Sequence, residues 1–375
     1  MVCIGIGLGL FRPALAEKGV DDEIRVVMHD AFDALVFLIE AAIEPGAAPR
    51  SEADVEAALA NLEAASGELQ KHGRLKPGSF NLLGRSLEEN IDRMIESYRV
   101  GMTDVSDLYL LDTVEHCVTC HSLLPEDRRR NIGSRFAEVV QESQVEPGLA
   151  ARLLVAVRQV PLALDTWEAY LGGDGFDPGD LVARAEVEDY LWQVLHLTRD
   201  PRRPQQVLAT IRDARGAPFH LRRKAELWRG QLSDLAGEFD GQASIGEIRE
   251  LFAGGFLYSD ILAGRDHLVR DALVSSQAHT LLADATILQA EERAELYFML
   301  AMVHLRSRLL IGAVPTAELY LEAAIREAPD SEIARSAYAE LQEYALQYFG
   351  EAEPTTELFP VPMTELRRLA GVPQT

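Results

Sequence analysis

The chain has 375 residues, of which 47% are hydrophobic, 26% charged and 7% aromatic, and these values exclude a collagen-like, disulfide-scaffold or mostly disordered protein. Sixty acidic residues against 36 basic ones give a net charge of −24. This charge repels phosphate backbones, so we expect no nucleic-acid partner. No apolar run reaches the roughly 20 residues of a bilayer-spanning helix, so we expect no transmembrane anchor in the mature chain.

The N-terminus has the pattern of a secretory signal. Residues 2–11 are apolar apart from their glycines, and Ala14 and Ala16 supply the small residues of an A-x-A cleavage site. No basic residue precedes Arg12, so we expect the natural start to lie upstream. The pattern predicts a signal peptide over residues 1–16 and a periplasmic mature protein.

From Asp21 onward, apolar residues recur at spacings of three and four, and no sustained alternating stretch occurs. The sequence therefore predicts an all-α protein. Short connections favour antiparallel neighbours, so we expect an up-down-up-down four-helix bundle over residues 17–125. Its four predicted helices are Asp21–Glu44, Ser51–Lys71, Ser86–Arg99 and Asp104–Ser122.

Two of these helices begin with a polar pattern typical of a capping box. Ser51 is followed by Asp54, and Ser86 is followed by Glu89. Residues 73–84 are rich in Gly and Pro and predict a loop between the second and third helices.

Residues 126–375 form the second predicted domain, in which helical segments alternate with short Gly, Pro and Asp turns. The last 60 residues resemble tetratricopeptide repeats, which implies an α-helical repeat domain. An irregular helical bundle is the alternative interpretation. The residues that carry the resemblance are Ala317, Leu321, Ala324, Pro329, Ala334, Ala337 and Leu341.

Residues 117–121 read Cys-Val-Thr-Cys-His and match the C-x-x-C-H attachment site of c-type haem. The chain's own Cys and His frequencies predict about 0.0006 chance occurrences of this pattern. In such a site the thiols of Cys117 and Cys120 add across the haem vinyl groups, and His121 is the proximal iron ligand. We therefore expect one covalent haem c.

Three other interpretations of the motif remain open. A thioredoxin-like dithiol requires a strand–helix setting that the sequence does not predict. A zinc site could recruit His116, but its donors would point to different faces of a helix. A disulfide between Cys117 and Cys120 would close a tight loop with little gain in stability.

A four-helix bundle with this motif at the end of its fourth helix resembles the class II c-type cytochromes, the cytochrome c′ group. The resemblance covers residues 21–125 and implies a haem inside the bundle near the motif. Members of that group usually end soon after the motif, whereas this chain continues for 250 residues.

The distal side of the haem is predicted from the bundle geometry. An antiparallel bundle brings the start of the first helix beside the end of the fourth, which makes Met28 the expected distal iron ligand. His29, about 100° away around the helix, and His72 are the other candidates, and an open sixth position is the remaining one. Met28 lies on an inward apolar stripe formed by Ile24, Met28, Ala31, Leu35, Leu38 and Ala42.

The second predicted domain contains further histidines and tryptophans but no second C-x-x-C-H. We therefore expect a mono-haem protein, with these side chains packed in the core or on the surface. They are His196, His220, His267, His279 and His304, together with Trp167, Trp192 and Trp228.

These patterns predict an exported mono-haem c-type cytochrome that transfers single electrons and is not an enzyme. Residues 17–125 carry 21 acidic and 9 basic residues, a net charge of −12 that would attract a basic redox partner protein docked by the repeat domain. The alternatives are a gas-binding or sensor protein with an open sixth site, and an assembly scaffold whose haem is structural.

Overall fold

The computed structural model describes residues 14–43, 51–73, 79–122, 137, 140, 145–239, 241, 243–254, 266–283, 287–307, 316–350, 352 and 362–373. Every regular element in these ranges is a helix, and the described residues contain no strand. The predicted all-α class is therefore confirmed.

The first third of the chain forms four long helices, α1 to α4. Consecutive helices pack side by side, α1 on α2, α2 on α3 and α3 on α4, whereas α1 and α4 meet over only a short stretch. The apolar residues of this part fill the space between the helices, with Leu35, Leu59, Met94 and Val118 each 2% exposed or less. The bounds are α1 Ala14–Ile43, α2 Glu52–Gly73, α3 Ser79–Arg99 and α4 Thr103–Ser122.

Two predicted boundaries are wrong. α3 begins at Ser79, so residues 79–84 are helical and Ser86 lies inside the helix. Ser86 is 1% exposed and its hydroxyl contacts His116, so its role is in the core and not in a cap. α1 begins at Ala14, and the signal-peptide residues that precede Ala14 lie outside the described ones.

The start of α2 agrees with the prediction. The Ser51 hydroxyl accepts a hydrogen bond from the Asp54 amide at 3.1 Å and donates one to the Asp54 carboxylate at 2.7 Å. This contact satisfies one of the amides that the first turn of a helix leaves without an intrahelical partner.

The rest of the described chain is a succession of shorter helices joined by turns. A 3₁₀ turn at Ala236–Phe239 follows α9. The bounds are α5 Pro147–Ala156, α6 Val160–Leu171, α7 Leu181–Thr198, α8 Arg203–Asp213, α9 Phe219–Asp234, α10 Ile245–Ala253, α11 Leu268–Ala283, α12 Ala290–Ser307, α13 Thr316–Glu327, α14 Glu332–Phe349 and α15 Met363–Leu369.

One apolar core runs from α1–α4 through α5–α9 and reaches α11, and a second joins α10 to α15. Trp167 and Trp228 are fully buried in the first core, as predicted for core residues. The predicted domain boundary at residue 125 lies outside the described residues. The apolar positions of the repeat-like segment, Ala317, Leu321, Ala324, Ala334, Ala337 and Leu341, are all buried.

The first and last parts of the chain are also in contact. α3 packs on α13, and Arg85 donates to the Glu322 carboxylate at 2.6 Å. Glu322 is 1% exposed and also accepts from Arg326 at 2.7 Å, so its charge is balanced inside the protein. Across the described ranges, we find no helix with the length and apolar character needed to span a membrane.

Candidate functional site

The C-x-x-C-H motif lies in the last turns of α4, and all five of its residues are helical. Residues separated by three and four positions share one face of an α-helix, so Cys117, Cys120 and His121 lie together. All three side chains are half-buried. The helix thus presents two thiols and one imidazole side by side.

The imidazole of His121 is held by the last residue of α5. Its Nδ1 lies 2.5 Å from the carbonyl oxygen of Ala156. A carbonyl oxygen can only accept, so Nδ1 carries the hydrogen and Nε2 keeps its lone pair. Histidines that bind a metal through Nε2 are held in this way, because the second hydrogen bond fixes both the tautomer and the orientation of the ring.

The protonation state of His121 also suits a metal ligand. The pKa of His121 is lowered to about 4, mainly by burial and also by the nearby charge of Arg158, while the bond to Ala156 acts in the opposite direction. The ring is therefore neutral at pH 7, the form in which imidazole binds a metal.

The thiols of Cys117 and Cys120 are free and protonated. Burial raises the pKa of Cys117 to about 12 and that of Cys120 to about 11. A redox dithiol works through a thiolate with a lowered pKa, and these groups are shifted in the opposite direction. The observed pair suits addition of S–H across a double bond better than disulfide exchange.

His116, the residue that a zinc site would recruit, already uses both ring nitrogens. Its Nδ1 donates to the Asp112 carbonyl at 2.7 Å, and its Nε2 accepts from the Ser86 hydroxyl at 2.8 Å. The ring is 2% exposed, and burial lowers its pKa to about 4. His116 thus joins α4 to α3. The described residues contain no cluster of three or more metal-binding side chains.

A second set of contacts fixes the end of α4 from the other side. Arg152 of α5 lies 3.6 Å from the Glu115 carboxylate and 3.2 Å from that of Glu186, and it also pairs with Asp189. The Trp167 indole donates to Glu186 at 3.1 Å. Burial raises the pKa of Glu115 to about 7, although Arg152 opposes this shift. Arg152 therefore links α4, α5 and α7 directly behind the motif.

The predicted distal ligands lie on other helices. Met28 is half-buried on α1, His29 is exposed next to it, and His72 is half-buried at the end of α2. α1 and α4 are in contact over only a short stretch. Met28 therefore stays a prediction as iron ligand.

Three of the remaining histidines meet far from the motif in sequence. They are His196 of α7, His279 of α11 and His304 of α12, which surround Trp192 and Tyr320. The ring of Trp192 stacks on that of His196, with ring centroids 4.8 Å apart, and the Tyr320 hydroxyl is hydrogen-bonded to His279 Nε2 at 3.3 Å. Burial, together with the other two histidines, lowers the pKa of His279 well below its usual value. As expected, these are packed side chains, and His220 is exposed.

Sequence reasoning missed the residues that surround the motif from α5 and the turn after it. Ala156, Arg152 and Arg158 lie 31 to 38 residues beyond Cys120 and His121. No local pattern marks them, because an alanine and two arginines are ordinary residues of an exposed helix. Only the packing of α5 on α4 brings them to the site.

Comparison with known proteins gives no match to any protein-family model, to any curated protein or to any solved structure.

Proposed function

We propose that this chain is an exported mono-haem c-type cytochrome, with the haem bound covalently through Cys117 and Cys120 and with His121 as the proximal iron ligand. The observation that carries the proposal is the hydrogen bond from His121 Nδ1 to the Ala156 carbonyl, because it leaves Nε2 available to iron. When bound, the haem supplies one-electron chemistry as its iron changes between two oxidation states.

The residues of the chain fit this group in three further respects. The two protonated thiols are the chemical form that thioether attachment uses. The neutral imidazole of His121 requires no proton loss on binding a metal. The site lies beside an apolar core, which lowers the local dielectric and limits access of water.

Export and the redox partner belong to the same proposal. Covalent haem attachment takes place outside the cytoplasm, in agreement with the signal-like residues 1–16 and a periplasmic location. The acidic first third, with Asp30 and Asp33 exposed on α1, would attract a basic partner protein over a long range. The later helices would dock that partner, and no substrate would be turned over.

A second candidate is a gas-binding or sensor haem protein with an open sixth position. The short contact between α1 and α4 favours it, because a distal ligand from α1 has to approach α4 closely. An absorption spectrum separates the two candidates, since an open site gives a high-spin haem and ligation by Met28 a low-spin one.

The proposal is tested by expressing the full chain with a haem-attachment system and staining a denaturing gel for haem peroxidase activity. We expect the wild type to stain and the double variant Cys117→Ala, Cys120→Ala to lose the stain. Cys3→Ala is the matched control and keeps the stain, because Cys3 lies outside the motif. A wild-type protein that is folded by circular dichroism and carries no stain would overturn the proposal.

A further inference from the structure

The helices α8 and α9 carry a charge opposite to that of the rest of the protein. Residues 201–230 contain eight basic and two acidic residues, a net charge of +6, and the other residues of the chain together carry −30. A local excess of charge on a protein surface attracts partners of the opposite charge. The surface of α8 and α9 therefore favours an acidic partner.

Five of the eight cations in this segment are paired with carboxylates of the protein itself. Arg212 and Arg229 both contact the Glu226 carboxylate, at 3.1 and 3.3 Å, so the charge of Glu226 is offset. The other paired cations are Arg202, Arg203 and Lys224.

The three other arginines of the segment face solvent. Arg215, Arg222 and Arg223 are exposed, and none of them forms an ion pair within the described part of the chain. The Nε of Arg222 donates to the Ala217 carbonyl at 2.7 Å, which holds this side chain at the start of α9. The helix dipole disfavours a cation in the first turn, and no acidic residue of that turn offsets the cost. Helix stability therefore gives no reason for an arginine at this position.

An open groove of about 720 Å³ lies beside these arginines, and its described lining residues all belong to α9. Two of its lining side chains are apolar and exposed, Phe219 at 81% and Leu227 at 38%. Gly230, also in the lining, has open space where a Cβ would stand. Because Arg222 and Arg223 line the same groove, cationic and apolar groups face one space.

We propose that this groove on α9 docks an acidic segment of a partner protein, whose carboxylates pair with Arg222 and Arg223 and whose apolar side chain packs against Phe219 and Leu227. Guanidinium groups bind carboxylates through paired hydrogen bonds, and arginine and aromatic residues are enriched at the centres of protein interfaces. This partner is distinct from the basic redox partner that the acidic first third would attract. The inference thus goes beyond the proposed function and does not depend on a bound haem.

An anionic membrane fits this surface less well than a protein segment does. A bilayer is broad, so its approach would also bring the charge of −30 on the other residues near the lipid headgroups, which repel it. A segment can enter the groove alone, and at a screening length of about 8 Å in physiological salt it responds mainly to the nearest arginines. The apolar side chains in the groove favour a segment over a free anion.

The test is fluorescence anisotropy with the full chain and two labelled peptides. In the first peptide, aspartate and glutamate flank a phenylalanine, and in the second, lysine replaces the acidic residues. We expect the acidic peptide alone to bind, and the double variant Arg222→Gln, Arg223→Gln to bind it about tenfold more weakly. The double variant Arg99→Gln, Arg335→Gln is the control. It makes the same change in net charge at exposed residues of α3 and α14, and it should bind like the wild type.

The apolar part of the groove is tested with Phe219→Ser. This variant should bind the acidic peptide more weakly without a change in the free energy of unfolding, because the side chain is 81% exposed. Ile287→Ser is the matched control, at a side chain that is 63% exposed and lies before α12. Added salt should weaken binding by the wild type and leave the effect of Phe219→Ser in place, since salt screens charges and not apolar contacts.

The inference would be overturned if the wild type bound neither peptide or bound both equally, or if the control double variant lost as much affinity as the Arg222, Arg223 variant. Binding of phosphatidylglycerol vesicles in place of the acidic peptide would overturn it in favour of a membrane. Light scattering that shows paired wild-type chains and single Arg222, Arg223 variant chains would overturn it in favour of a second copy. Haem stain is measured separately, and its absence contradicts only the proposed function.

Discussion

His121 of α4 and Ala156 of α5 are joined by a hydrogen bond of 2.5 Å, although they are 35 residues apart in the sequence. The bond places the last turn of α4 against the end of α5, where Arg152 and Arg158 also lie. A site contained in a four-helix bundle would take its surroundings from those four helices. Here α5 and the turn after it supply the acceptor for His121 and a positive charge that lowers its pKa.

The division of the chain at residue 125 can be tested with two truncated proteins. We expect residues 17–125 to keep haem stain, since Cys117, Cys120 and His121 are all on α4. This fragment should unfold at lower urea than residues 17–239, because removal of α5 exposes apolar surface of α4 and leaves the His121 Nδ1–H without its acceptor.

The comparison of the two fragments is made by haem stain and urea denaturation. An insoluble or stain-negative 17–125 beside a soluble, stained 17–239 would show that the predicted boundary cuts through one folding unit.

The assignment of Met28 as distal ligand predicts that the haem iron changes its spin state in the Met28→Ala variant. Loss of the thioether should convert a low-spin absorption spectrum into a high-spin one and open the iron to carbon monoxide. Met102→Ala is the control and should keep the wild-type spectrum, because Met102 is 52% exposed beyond the end of α3. Rapid binding of carbon monoxide by the wild type would instead favour the gas-binding candidate, and an unchanged spectrum in Met28→Ala would favour His72.

The lowered pKa of buried His116 predicts that the protein loses part of its folding stability in acid. Burial lowers its pKa from 6.5 to about 4 in the native state, so between these values the unfolded chain binds a proton that the native chain does not. The contribution of neutral His116 to the free energy of unfolding is complete above about pH 6.5. It falls as the pH drops towards 4, by about 3 kcal/mol in total. Urea unfolding at a series of pH values measures it.

The matched variants for this prediction are His116→Gln and His220→Gln. We expect the first to reduce the slope of the unfolding free energy against pH between about 6.5 and 4, while His121, whose pKa is lowered to the same extent, keeps part of that slope. The second should leave the slope as it is, because His220 is exposed on α9. Equal slopes in His116→Gln and the wild type would contradict the assignment.

The close approach of the Glu186 carboxylate to Gly148, in the first turn of α5, leaves no room for a side chain at this position. A Cβ at this position would collide with the Glu186 carboxylate, which Trp167 and Arg152 hold in place. We expect Gly148→Ala to lower the free energy of unfolding by about 1–3 kcal/mol, because the carboxylate has to leave its donors. Thermal or urea unfolding gives the value.

Gly230→Ala is the control for the Gly148 variant. Gly230 lies inside α9 and a Cβ there would meet nothing within 4 Å. Alanine should therefore stabilise the helix by about 0.5–1 kcal/mol. Stabilisation by both substitutions would mean that Glu186 does not pack closely on α5.

The features of the fold that could be predicted are those set by interactions between residues close in the sequence. The 3.6-residue periodicity predicts the helices, and the Ser51–Asp54 contact begins α2 as expected. The start of α3 could not be predicted in the same way. The Ser86 hydroxyl can cap a helix or bind a distant acceptor, and His116, 30 residues away, decides between these roles.

The sequence by itself determined the helical class and the placement of two thiols and an imidazole on one face of α4, because spacings of three and four residues are local properties of a helix. Only the tertiary structure decided which nitrogen of His121 carries the hydrogen and which cation lies beside it. Ala156 and Arg158 reach the site through the packing of α5 on α4, an interaction between apolar faces that many pairs of amphipathic helices could form. The sequence of either helix alone does not specify which helix it packs against. The packing partner is specified by the burial of apolar surface added over the whole core.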